Sequence, residues 1–148
     1  MNEVIDVLLI GISDNQIESI KEGFKKEGLH FRLVLGEKEK IIAQQLLNSG
    51  YRFVFIEADF LKKRPQIKQT LLRLPMETRR NQLFILIDSK VKTLSHSSAF
   101  KNGVNAVINA KDLAHFPHLM HQIIGFDNEL YGGFKKRLEK FMEVEAAF

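Results

Sequence analysis

The sequence contains no cysteine. Disulfide bridges and thiolate metal sites are therefore excluded, and the fold must rest on packing and hydrogen bonding. Long apolar runs are also missing. The longest, Val7 to Ile12 and Leu83 to Ile87, fall far short of the roughly 20 residues a membrane-spanning helix needs. The opening Met-Asn-Glu-Val-Ile-Asp is acidic where a secretory signal would be basic. These absences point to a cytoplasmic protein. No internal repeat and no low-complexity linker divides the 148 residues, a length suited to one domain with one sizeable core. Dense positive charge is lacking too. The net charge is +4, but the only tight basic clusters are Lys62-Lys63-Arg64, Arg79-Arg80 and Lys135-Lys136-Arg137. None adjoins an aromatic platform or a nucleic-acid motif, so they read as solvated helix surface, and a nucleic-acid partner is only the second alternative considered below.

What is present is an alternation of strand and helix. Val4 to Ile12 reads as a buried strand stopped by Gly11-Ile-Ser-Asp14, and Ser13 with Gln16 fits a capping box for the helix that follows. That helix carries Ile17, Ile20 and Phe24 on one face, with Gly28 as its C-terminal cap. Leu29 to Leu35 alternates in part, as an edge strand does. A second helix is expected from about Glu37 to Leu47, burying Ile41, Ile42, Leu46 and Leu47. Tyr51 to Ile56 is a run of aromatic and β-branched residues ending in the acids Glu57 and Asp59, which reads as a strand buried on both faces whose end opens on a polar crevice.

The three prolines punctuate the remainder. A helix is expected to start near Leu61 or Pro65, to carry Ile67, Leu71, Leu72 and Leu74, and to stop before Pro75. Met76 to Gln82 is a polar connection with room for one helical turn. Leu83 to Ile87 and Val104 to Asn109 read as strands four and five, joined through a weaker helix at Leu94 to Lys101. A last helix is expected from Pro117. Five strands alternating with helices over short connections predict an α/β fold with a parallel sheet and helices on both faces. With right-handed crossovers, the expected order is 2-1-3-4-5, the flavodoxin-like arrangement.

Three features carry a family resemblance: Val7-Leu-Leu-Ile10 as strand one, Ala43 to Leu47 followed by Gly50-Tyr51 and Arg52-Phe-Val-Phe-Ile56, and Gly103 entering strand five. Over roughly Val4 to Ile124 the chain resembles the receiver domain of two-component response regulators. The resemblance implies a site at the carboxyl ends of the strands, and there the chain departs from the pattern. Where receivers place two acids that hold magnesium, it has Gly11-Ile12. Glu57 stands at the position of the phosphate-accepting aspartate. Asp88 or Ser89 falls at the position of the strand-four hydroxyl. The lysine position falls on Ala110, with Lys111 one residue late and no proline after it.

Phosphoryl transfer needs a metal to neutralise developing charge, and magnesium needs oxygen ligands that a glycine–isoleucine pair does not supply. Glutamate also displaces the nucleophile by one methylene, and a misplacement of about 1 Å can cost about a hundredfold in rate. The resemblance then implies a pseudo-receiver: a non-catalytic interaction and signalling module, without cofactor or bound metal, and not phosphorylated. The first alternative is a receiver that still takes phosphate at an unusual acid such as Asp59. The second is a nucleic-acid binder using Arg79, Arg80 and the lysine clusters.

Other side chains invite site readings. Glu57 reads either as a permanent carboxylate paired with Lys111 or as a solvated acid at a strand end. Asp14, Glu57, Asp59 and Asp88 form a weak candidate cation site, although Asp59 would face away if the strand pleat continued past Ala58. His115, His118 and His121 recur every three residues, with no acid at helical spacing, and read as surface histidines. The C-terminal extension, 126–148, is expected to continue the last helix. From Pro117 to Met142 an unbroken helix would run about 39 Å, against about 17–20 Å for a strand. Its overhang carries Leu130, Phe134, Leu138 and Phe141 in one stripe, with Tyr131 beside them, and predicts a homodimer or a docked protein partner. The alternative is that Gly132-Gly133 breaks the helix and the second piece folds back.

Overall fold

The computed structural model describes residues 4–48, 50–80, 82–120 and 122–123. Strands β1 (Ile5–Ile10), β2 (Phe31–Gly36), β3 (Tyr51–Glu57), β4 (Leu83–Asp88) and β5 (Ala106–Asn109) form one sheet in the order β2-β1-β3-β4-β5. Every pairing is parallel. The flavodoxin-like expectation is met, with helices on both faces.

The pleat sorts the apolar runs between two cores. Val7, Leu9, Phe53, Phe55, Ile85 and Ile87 point to one face. There they meet helix α1 (Asp14–Lys26) and the 3-10 helix Ala110–His115 with the helical residues 116–120 that follow it. Leu8, Ile10, Val54, Ile56, Phe84 and Leu86 point to the other. Opposite them lie α2 (Glu39–Leu46), α3 (Ala58–Lys62), α4 (Pro65–Leu72) and α6 (His96–Asn102). The first core is aromatic. Phe24 of α1 has Phe31, Phe53, Phe55 and Phe116 within 5.1–6.4 Å of its ring, mostly edge-on, the geometry that aromatic quadrupoles favour. Phe116 reaches it only because α1 carries glycine at 23, where a Cβ would lie 2.2 Å from the Phe116 ring.

Several boundaries differ from the sequence expectation, each for a local reason. The expected third helix is two. Glu57 caps α3 directly after β3, and Arg64, held before Pro65, takes a non-helical conformation (φ −132°, ψ 75°) that separates α3 from α4. In α2 only Ile42 and Leu46, four residues apart, face the core. Ile41 and Leu47 are 46% and 59% exposed, and Leu72 at the end of α4 is exposed as well. Met76–Arg79 makes the single extra turn, α5. The helix expected from Leu94 starts at His96, capped by the Ser95 hydroxyl. The chain enters the last described helical stretch at residue 116 through the 3-10 helix, with Pro117 in the first turn, where its missing N–H costs nothing. The extension from 126 to 148 lies outside the described residues.

Candidate functional site

Four strands deliver their last residues to one end of the sheet: Ile10 before Gly11, then Glu57, Asp88 and Asn109. Gly11 turns the chain in the left-handed region (φ +70°), which a side chain with a Cβ adopts only with strain. The space beside it is taken. A Cβ built on Gly11 would lie 2.5 Å from Cγ of Phe60. The Phe60 ring comes from α3, the short helix that β3 feeds. The Arg64 guanidinium lies 3.6 Å from the centroid of the ring, and Arg64 Nη1 donates to the Phe60 carbonyl at 3.1 Å. The guanidinium is thereby held over the ring, and the space beside Gly11 is taken by a ring that carries a cation stacked on it.

Glu57 is part of the same construction. Its Oε2 accepts a hydrogen bond from the Phe60 amide at 2.6 Å and caps α3. A charged acceptor at a helix start satisfies an orphan N–H and complements the helix dipole. Glu57 is thus a half-buried cap rather than a purely solvated acid, and the expected pairing with Lys111 is corrected. Among the described residues no ion pair joins the two. The reason is that α3 begins at Ala58, so an unpaired amide three residues on lies within reach of the carboxylate. Helix formation at Ala58 also ends the strand pleat, so the condition under which Asp59 would face away is not met, and Asp59 is exposed in the first turn of α3.

The β4 and β5 ends are tied together. Asp88, 8% exposed, accepts from the Lys90 amide through Oδ1 at 2.8 Å, while Ser89 is exposed. Asn109, also buried, donates through Nδ2 to the carbonyls of Val91 (2.9 Å) and Ser89 (3.4 Å) and accepts from the Lys111 amide through Oδ1 at 3.1 Å. Its own amide donates to Thr93 Oγ1 at 2.8 Å, and that hydroxyl donates to Asp112 at 2.6 Å. Lys111 contributes a backbone N–H to this latch, and its side chain is exposed. Ile12 packs against the aromatic core.

Of the residues singled out in the sequence, Gly11 and Glu57 meet through Phe60, whereas Asp14 is exposed at the start of α1. Among the described residues no three His, Asp or Glu side chains are gathered as metal ligands. His115 and His118 are exposed; His121 lies outside the described residues, as do Leu130, Tyr131, Phe134, Leu138 and Phe141. Arg79 does not fit the solvated-cluster reading. It is half-buried, its Nη2 donates to the Gly103 carbonyl, and its guanidinium lies 4.8 Å from the Phe84 ring centroid. Sequence reasoning missed Phe60, Arg64 and Asn109. An acid three residues before an aromatic, with arginine four residues after it, was the available signal for the first two.

No protein-family model and no curated protein matches the sequence. Solved structures do match in shape. A response regulator from Hahella chejuensis superposes with a TM-score of 0.59 at 12% identity, over 84% of this chain and 93% of that one. A response regulator from Thermotoga maritima gives 0.57 at 14%, over 83% and 99%. A signal receiver domain of two-component signal transduction from Clostridium thermocellum gives 0.59 at 15%, over 80% and 95%. The fold is the receiver fold. At such identities the likeness speaks for architecture alone, so the receiver fold sets where a site would lie and the residues above decide what lies there. No described helix is long and apolar enough to cross a membrane.

Proposed function

We propose that the chain is a pseudo-receiver, a cytoplasmic, non-catalytic module of protein–protein interaction and signalling that is not phosphorylated at Glu57. The observation that carries this reading is the Phe60 ring against Gly11. In the receiver pattern two acids at positions 11 and 12 would hold the cation, and here carbon fills the volume beside position 11. A divalent ion that requires near-octahedral oxygen ligands has neither ligands nor room at that point. Glu57 supports the same reading. One oxygen of its carboxylate is engaged as the cap of α3, and phosphorylating the other would remove the negative charge that strengthens that bond. The partner surface we favour is the C-terminal stripe of Leu130, Tyr131, Phe134, Leu138 and Phe141. It rests on the sequence pattern and would pair with a second copy or with another protein.

Incubation with acetyl phosphate and magnesium, followed by intact mass and peptide mapping, tests the reading. The mass is expected to stay unchanged. A phosphoryl group on Glu57 or Asp59 would overturn it in favour of a working receiver.

A further inference from the structure

Beside the filled crevice a second opening persists. Above the end of β4, with α3 and α4 on one side and α6 on the other, lies a cleft of about 520 Å³. That volume falls in the range of about 300–1,000 Å³ usual for small-molecule sites. Its floor is apolar, made by Ala58, Leu61, Leu86 and Val91. Its walls carry Lys62 and Lys68 on one side and Lys101 on the other, against a single carboxylate, Asp88. None of the three lysines is in an ion pair among the described residues. An excess of one sign around a low-dielectric concavity focuses the field and draws in ions of the other sign. Ser95 and Ser97, whose hydroxyl oxygens lie 3.3 Å apart, add donors on the α6 side.

The α6 wall is also held in place. Leu94, directly before Ser95, has φ +64°, a conformation that side chains with a Cβ adopt at a cost. Its amide donates to the Val107 carbonyl at 2.7 Å, and the Asn109 bonds to the Val91 carbonyl and the Thr93 hydroxyl fix the loop before it. A strained loop held by three separate ties keeps the wall in one position before a ligand arrives, which lowers the cost of binding.

We propose that this cleft binds a phosphorylated small molecule. The phosphate lies among Lys62, Lys68 and Lys101 with the serine hydroxyls. The remainder lies over the apolar floor against Val91, with a hydroxyl directed to the Asp88 oxygen that Lys90 leaves free. Nothing is transferred, so the proposal goes beyond the pseudo-receiver reading and does not depend on it. The concave shape favours a small molecule over a nucleic-acid backbone.

Amide-shift titration of the whole chain by NMR tests the proposal, with AMP as probe and inorganic phosphate and adenosine as controls. AMP is expected to give saturable shifts at Ala58, Lys62, Ser98 and Lys101, half-complete at about 1 mM or below. Phosphate alone is expected to act at the same amides more weakly, and adenosine not to saturate. Lys68→Gln and Lys101→Gln should each weaken AMP about tenfold, while Lys25→Gln on the opposite face leaves it unchanged. Absence of saturation by AMP and by phosphate at about 10 mM would overturn the proposal. So would shifts confined to Gly11, Glu57 and Lys111, an equal loss in Lys25→Gln, or displacement of AMP by a short duplex at lower concentration.

Discussion

The two openings at the carboxyl end of the sheet are built in opposite ways. Between β1 and β3 the Phe60 ring takes the space beside Gly11, with the Arg64 guanidinium stacked on that ring. Beside β4, one strand away, the space stays open and is lined by three lysines over an apolar floor. The receiver fold dictates that crevices form at this end of a parallel sheet. Which of them remains usable depends on a few side chains in α3: Phe60 faces one opening, while Leu61 and Lys62, the next two residues, face the other. A single short helix therefore closes the space beside Gly11 and furnishes part of the neighbouring cleft.

The largest effect is expected from forcing an oxygen ligand into the closed opening. Gly11→Asp places a Cβ against Phe60 and holds a non-glycine residue at φ +70°. Strain and overpacking together should destabilise the fold by about 2–4 kcal/mol. The check is a lower urea midpoint at unchanged slope. A variant as stable as the parent would mean that the closure is loose and the contrast between the openings is overstated.

The next largest strikes the open side. Asn109→Ala removes three side-chain hydrogen bonds and leaves the Val91, Ser89 and Lys111 backbone groups without them. A cost of about 2–3 kcal/mol is expected. Because this latch also sets the cleft wall, amide exchange should quicken from Ser89 to Ser95 while the Gly11 and Phe60 region keeps its protection. Uniform loss of protection would instead make the two openings one cooperative unit.

The strands were readable because burial on both faces leaves a mark that does not depend on context. Phe53-Val-Phe-Ile56 is apolar throughout, and its alternation supplies both cores. The sheet order followed from short connections and the handedness of crossovers. Helix ends were less legible where a single residue decides them, as Arg64 does before Pro65. The candidate site was legible only in what it lacks. Gly11-Ile12 shows the missing oxygens, but Phe60 is remote in sequence from Gly11 and nothing local announces that its ring fills the gap. The lysines of the cleft posed the same difficulty. Lys62 reads as one member of a surface cluster, and only the pairing of β3 with β4 and the placement of α6 bring it opposite Lys101.

A smaller effect sharpens the closure itself. Phe60→Ala removes a half-buried ring and its cation contact, at about 2 kcal/mol. Combined with Gly11→Asp it should cost about 1–2 kcal/mol less than the sum of the two, since the clash disappears with the ring. Strict additivity would show that Phe60 is not what excludes a side chain at position 11.

The smallest effect separates charge from geometry at Glu57. Glu57→Gln keeps an oxygen that can accept from the Phe60 amide, so only the interaction of charge with the helix start is lost, about 0.5 kcal/mol. Glu57→Ala removes the acceptor and should cost about 1 kcal/mol. The two variants are compared by chemical denaturation and by the position of the Phe60 amide signal, which should move in the alanine variant and stay near its place in the glutamine variant. Equal cost and equal shift in both would mean that a neutral amide does not hold the cap and that the bond to the Phe60 amide depends on the negative charge.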